Sequence, residues 1–170
     1  MTDRTKEEFV SLISGHQGII HKVCHMYQQD EEDRRDLFQL ITLQLWKAYP
    51  KFRGDAKFTT WMYRIALNTA ITNYRKDRRR PLNVMYDDQT LQIPYEERND
   101  MERNEQIVML RKAIDLLSDV EKAIITLYLE ERGYPEIAEI VGITQNNVRV
   151  KMNRIKKKLR KVLTGVLHGA

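Results

Sequence analysis

Between Gly133 and Lys161 the chain sets out an ordered series of groups: a glycine and proline, a small residue, a second glycine, a threonine, a run of amides, then cations. Gln145, Asn146 and Arg149 carry side chains that form paired hydrogen bonds with base edges in the DNA major groove. From Arg149 to Lys161 there are eight basic residues and no acidic one. Lys156, Lys157, Lys158, Arg160 and Lys161, further along, suit phosphate oxygens, which take charge without reading sequence. The chemistry is recognition of a polyanion, with no bond made or broken.

Such groups need a frame, and the spacing of the other residues predicts one. Pro135 falls in a first helical turn, where its missing N–H costs nothing. Ala138 allows a second helix to cross closely, Gly142 accepts the positive φ of a tight turn, and Thr144 can cap the helix that follows. Ile137, Val141, Ile143 and Val148 are spaced to close a small core. Val148, Met152, Ile155, Leu159 and Val162 form an apolar stripe, leaving Gln145, Asn146, Arg149, Lys151, Asn153 and Arg154 mainly on other faces. This is the pattern of a helix-turn-helix whose second helix enters the major groove. The competing reading is a plain helical hairpin with a basic solvent face.

A second set of such groups lies near the middle of the chain. Arg64, Asn68, Thr72, Arg75 and Arg79 approximate one side of a helix expected from about Phe58 to Asp77, with Tyr63 and Tyr74 near them. Cations, amides and aromatics interleaved on one face suit single-stranded nucleic acid: charges follow the backbone while rings and amides engage unstacked bases. A solvated helix with a basic end fits the same pattern. Phe58, Trp61, Met62, Ile65, Ala66 and Thr69 are the expected core side.

The preceding helix, from about Asp30 to Tyr49 and halted at Pro50, has a stripe of Leu37, Ile41, Leu45 and Ala48. Leu40, Leu43 and Trp46, with Phe38 nearby, add more apolar surface than one core-facing stripe requires. Either a protein partner covers that surplus, or the helix is buried on several sides. Thr5 and Glu8 have capping-box spacing and predict a first helix running towards Gln29. Ser118 and Glu121 have the same spacing and predict another ending at Gly133.

Other chemistry is thin. His21, Cys24 and His25 stand at i, i+3, i+4, a conceivable metal-ligand face, although Val23 and Tyr27 belong to the same helix's apolar pattern and a lone cysteine is often a small buried residue. No nucleophile–base pair, phosphate loop or HExxH motif is present, and the enzyme reading is weak. The 170 residues suit one or two small domains. No apolar run reaches the roughly 20 residues needed to span a bilayer. One cysteine allows no internal disulfide, which fits a reducing compartment, and the N-terminus has no apolar leader; a cytoplasmic protein is expected. Net charge is +5, yet residues 81–105 hold seven acidic and two basic groups, with Pro81 and Pro94 and poor periodicity. The organisation expected is all-α: a helical domain over 1–80, a flexible acidic linker over 81–105, and a second helical domain over 106–170.

Taken together, Asp36-Leu37-Phe38-Gln39 through Leu45-Trp46, then Phe58-Thr59-Thr60-Trp61-Met62-Tyr63-Arg64-Ile65-Ala66-Leu67-Asn68, then Leu117-Ser118 through Leu159 resemble the extracytoplasmic-function (group 4) sigma factors of bacterial RNA polymerase. Three motifs in order, over nearly the whole chain, are far more specific than any one. The resemblance implies a region 2 bundle and a region 4 helix-turn-helix, with core RNA polymerase and promoter DNA as partners and no cofactor. Asp36, Phe38, Gln39, Leu40, Leu43 and Trp46 would face the clamp helices of the largest polymerase subunit. The Arg53–Lys57 loop, with Arg53, Asp55 and Lys57, would hold a flipped-out base of the non-template −10 strand, and Arg64, Asn68 and Arg75 the strand around it. Thr144, Gln145, Asn146, Arg149, Lys151, Arg154 and Lys158 would engage the −35 element as duplex.

An anti-sigma partner is also implied, without membrane insertion of this chain. Asn73 and Pro135 stand where the family often has acidic residues. In family terms the linker would run through the RNA exit path, and its net charge of −5, carried partly by Asp87, Asp88, Glu96 and Glu97, would help it occupy a channel built for a polyanion. The remaining alternative is a stand-alone helix-turn-helix regulator that ignores polymerase.

Overall fold

A computed structural model describes residues 3–77 and 105–168, and in these the expected all-α class holds, with eight α-helices and no strand. The chain divides into two compact units, Met1–Glu97 and Arg98–Ala170. Arg79 and the expected linker as far as residue 104 lie outside the described residues; Glu105, the last residue of that stretch, already opens a helix.

In the first unit α1 (Asp3–Gly15), α2 (Gln17–Tyr27), α3 (Glu31–Ala48) and α4 (Phe58–Asp77) surround a core of Phe9, Ile13, Ile20, Val23, Phe38, Ile41, Leu45, Met62 and Tyr63. The single helix expected from Thr5 towards Gln29 is instead two. Its break falls at Gly15-His16, where glycine is a weak helix former and the His16 N–H reaches back only to the Ile13 carbonyl, at 3.0 Å. The His16 imidazole Nδ1 lies 2.8 Å from the Leu12 carbonyl oxygen, and its ring meets the Phe58 ring edge-on with centroids 5.2 Å apart, which holds the corner.

Asp30 caps α3, its carboxylate accepting the Asp33 N–H at 3.2 Å. Glu31, Glu32 and Asp33 follow in the first turn, where negative charge suits the positive end of the helix dipole. Pro50 ends the helix as expected by joining a single 3-10 turn, Tyr49–Lys51. α2, α3 and α4 pack pairwise against one another, so α4 is clasped from two sides. Its buried residues are Thr60, Met62, Tyr63, Ala66, Leu67 and Ala70, a face rotated from the one the apolar spacing suggests. Tyr63, expected near the exposed side, is core, while Phe58, Trp61, Ile65 and Thr69 are only half-buried.

The second unit contains α5 (Glu105–Asp115), α6 (Asp119–Leu129), α7 (Tyr134–Val141) and α8 (Gln145–His168). The Ser118 capping box forms: the Glu121 N–H donates to the Ser118 hydroxyl at 3.3 Å, and the Ser118 N–H donates to the Glu121 carboxylate at 3.1 Å. α6 stops earlier than Gly133. Glu131 takes the left-handed conformation, φ 62°, so that its N–H bonds the Tyr128 carbonyl and the Arg132 N–H the Leu127 carbonyl. This closes the helix end in a Schellman motif. Gly133 is extended and precedes α7 as its N-terminal cap residue.

Candidate nucleic-acid interface

The corner between α7 and α8 is built as the residue types require. Gly142 sits at φ 81° and ψ 36°, a region costing other L-residues about 1–2 kcal/mol. Its N–H and that of Ile143 both bond the Ala138 carbonyl, at 2.9 and 3.1 Å. Thr144 then caps α8, its hydroxyl accepting the Asn147 N–H at 3.1 Å. Ile137, Ala138 and Ile140 face inward from α7 against Val148, Met152, Ile155 and Leu159 of α8. Ile140 is buried where the spacing had suggested Val141, which is half-buried.

With its apolar stripe covered, α8 turns Gln145, Asn146, Arg149, Asn153 and Arg154 to solvent, with Lys151 half-buried at one margin. Lys156, Lys157, Arg160 and Lys161 extend the exposed cationic surface along the same helix. Lys156 also lies over the Tyr128 ring, 4.9 Å from its centroid, a cation–π contact that ties this lysine to α6.

Lys158, expected at the −35 interface, has an exposed side chain whose ammonium donates to the Glu121 carboxylate at 2.7 Å within the unit. Burial raises the Glu121 pKa, but the hydrogen bonds and charge of Lys158 and the bonds from Ser118 outweigh it, and the net shift is downward. The carboxylate is thus held ionised between a helix start and the helix carrying the amide and guanidinium groups. Glu121 is legible as a capping residue but not as an anchor for α8, because its partner is 37 positions distant and no local pattern marks such a pair.

In the first unit Arg53, Asp55 and Lys57 are exposed around Gly54, itself at φ 79°. Arg64, Asn68, Thr72 and Arg75 form an exposed row along α4. Between loop and row lies a half-buried cluster of rings: Phe52 and Trp61 have centroids 4.9 Å apart, and Phe58 lies 5.5 Å from Trp61 and 5.7 Å from Phe52. On α3, Asp36 and Gln39 are exposed, and Leu40, Leu43 and Trp46 are half-buried. Trp46 rests on Phe9 with centroids 5.0 Å apart.

Phe38 does not share that surface. It is fully buried, its ring 4.9 Å from the His21 ring, so α3 is enclosed on more than one side and leaves only an apolar margin of half-buried residues. At the start of α3 the Asp33 carboxyl is raised in pKa by desolvation and by Asp30, Asp36 and Asp77 around it, a concentration of negative charge next to the apolar margin. His21 and Cys24 point into the core while His25 is exposed. Burial pushes the Cys24 thiol up to about 12, against a smaller opposing pull from Arg34, which makes it unreactive. Among the described residues no group of three His, Cys, Asp or Glu is placed to hold a metal ion, and no helix is long and apolar enough to cross a membrane.

Two helical units, one a helix-turn-helix with a covered stripe and a cationic reading face, define a bipartite nucleic-acid-binding protein. Residues 12–80 match the family model for sigma-70 region 2, and residues 107–159 match that for sigma-70 region 4. The chain is 29% identical over 161 residues to the RNA polymerase sigma factor SigV of Bacillus subtilis, spanning 94% of this chain and 93% of that protein. It is 28% identical over 162 residues to the ECF RNA polymerase sigma-E factor of Haemophilus influenzae, spanning 89% and 85%. Among solved structures, CnrH in complex with the cytosolic domain of CnrY shares the fold with a TM-score of 0.65 at 19% identity, covering 92% of this chain and 88% of that one. The sigma factor RpoE of Bartonella quintana, solved with the anti-sigma factor NepR, gives 0.63 at 18% identity, covering 96% and 98%. The chain belongs to the sigma-70 family, as a sigma factor of the extracytoplasmic-function type. It is a transcription initiation factor that binds core RNA polymerase and directs it to promoters.

Proposed function

We propose that three separate surfaces divide this work, and that the protein acts in the cytoplasm by binding energy alone, without catalysing a reaction. Asp36, Gln39, Leu40, Leu43 and Trp46 on α3 dock on core polymerase. Arg53, Asp55, Lys57, Arg64, Asn68 and Arg75 hold the non-template −10 strand, where trapping an unpaired base offsets the roughly few kcal/mol of unstacking. Thr144, Gln145, Asn146, Arg149, Lys151 and Arg154 engage the −35 duplex. Residues 1–80 act as region 2 and 106–170 as region 4, joined by 81–105. The observation that carries the reading is the clean division of α8, whose apolar stripe is closed inside the unit while amides and guanidinium groups occupy its exposed first turns.

The relatives solved with anti-sigma factors support a comparable inhibitor for this chain. The test is in vitro transcription by bacterial core polymerase on a randomised promoter library, with and without the protein. Enrichment of a −10 and a −35 motif is expected, together with co-elution of the protein and core enzyme. Specific duplex binding that is indifferent to core enzyme would instead establish a stand-alone regulator.

A further inference from the structure

Along the exposed side of α8 one residue is out of character. Val150 is 40% exposed, and its helical neighbours on that side, Asn146 at i−4, Asn153 at i+3, Arg154 at i+4 and Lys157 at i+7, are all exposed amides or cations. At about 100° per residue it lies about 160° around the axis from both Val148 and Met152, the two fully buried residues that define the inner stripe. The position therefore contributes nothing to the core. A β-branched residue there is also a poorer helix former than the lysine, arginine and glutamine that suit a solvent-facing site. A lone exposed valine is ordinary on a protein surface; this one sits midway along the row from Asn146 to Arg154, in the turns that enter the groove.

We propose that Val150 is a specificity-determining residue of the −35 interface, reading the C5-methyl group of a pyrimidine. The inference rests on the assignment of α8 to the −35 duplex. In the major groove every base pair presents donors and acceptors, but thymine alone among the ordinary bases presents an apolar group, its methyl. Valine has no polar atom with which to meet a donor or acceptor, so any base edge it covers other than that methyl loses a hydrogen-bonding partner in water and gains none. Asn146 and Arg149 fix the helix over the neighbouring base pairs, and Val150 then closes over the methyl. A methylated cytosine carries the same group at the same carbon and is the second possible source.

The test uses holoenzyme and a promoter selected from the library, with deoxyuridine replacing deoxythymidine one position at a time through the −35 element. One replacement is expected to weaken wild-type holoenzyme binding roughly fourfold, the effect of withdrawing one methyl from apolar contact. Val150→Ala should bind the thymine and uracil promoters alike, and Val150→Thr, which keeps one methyl and the branched shape, should retain part of the preference. If a cytosine position answers instead, 5-methylcytosine there should strengthen wild-type binding and leave Val150→Ala unmoved. Equal methyl sensitivity of wild type and Val150→Ala at every position overturns the role of Val150 while leaving the −35 assignment standing, since Arg149→Ala would still abolish the motif. Failure of the library to enrich any −35 motif overturns both.

Discussion

α4 and α8 are both long helices with an exposed row of amides and cations, yet they are held differently. α4 is clasped between α2 and α3 and buries Met62, Tyr63, Ala66, Leu67 and Ala70 across two flanks, so its exposed row is narrow. α8 rests on α5, α6 and α7 through the single stripe Val148, Met152, Ile155 and Leu159, and most of its circumference stays in water. The first arrangement suits a helix that must also complete a core; the second suits a blade presented to a groove. A helix can carry many exposed groups only if its own unit asks little of it.

The contrast is open to attack where burial and exposure adjoin on α3. Phe38→Ala should destabilise the first unit by about 3–5 kcal/mol, since it empties a fully buried aromatic site. Leu40→Ala, one turn-edge away and half-buried, should cost much less stability and act mainly on affinity for core polymerase. Urea unfolding followed by tryptophan fluorescence (both tryptophans lie in this unit) distinguishes them, and equal destabilisation would refute the separate surfaces.

A smaller effect is expected in the second unit. Gly142→Ala places no atom in contact with a neighbour, so only the left-handed backbone is penalised, by about 1–2 kcal/mol. Hydrogen exchange should quicken in α7 and α8; exchange there as slow as in the unsubstituted protein would show that the left-handed turn is not penalised.

The smallest effect concerns acid. Glu121 has a pKa lowered on folding, so its contribution is fully present above the ordinary glutamate value of 4.5 and is lost as pH falls through the lower folded value. Glu121→Gln should flatten that part of the acid unfolding curve and loosen α8, and at neutral pH it should cost about 1 kcal/mol, the typical worth of a helix cap. An unaltered acid limb would show that the bond to Lys158 contributes no stability.

These features differ in how openly the residues announce them. Gly142, Thr144, Pro135 and the Ser118–Glu121 box act within a few residues of themselves, so the frame of the second unit was legible from local chemistry. Phe38 and Tyr63 were not, because apolar spacing reports which side of a helix is greasy and not how many neighbours will cover it. The spacing places both outward, and both are core. The bond between Lys158 and Glu121 is not legible either, because its partners stand 37 positions apart. The His16 corner and the left-handed Glu131 were missed for a related reason: each is a non-glycine residue held in place by bonds that form only once the chain has folded around it.

One consequence follows from the rings of the first unit. Trp46 and Tyr49 both lean on Phe9, Tyr49 continues to Trp61 with centroids 6.4 Å apart, and Trp61 meets Phe52 and Phe58. This row of flat groups, half-buried beyond Phe9, spans the bend at Pro50 from one long helix to the next. Rings in contact across the elbow give a pull on the fourth helix a direct route into the third. Under the proposed roles, a strand held at the fourth helix would be braced through the third.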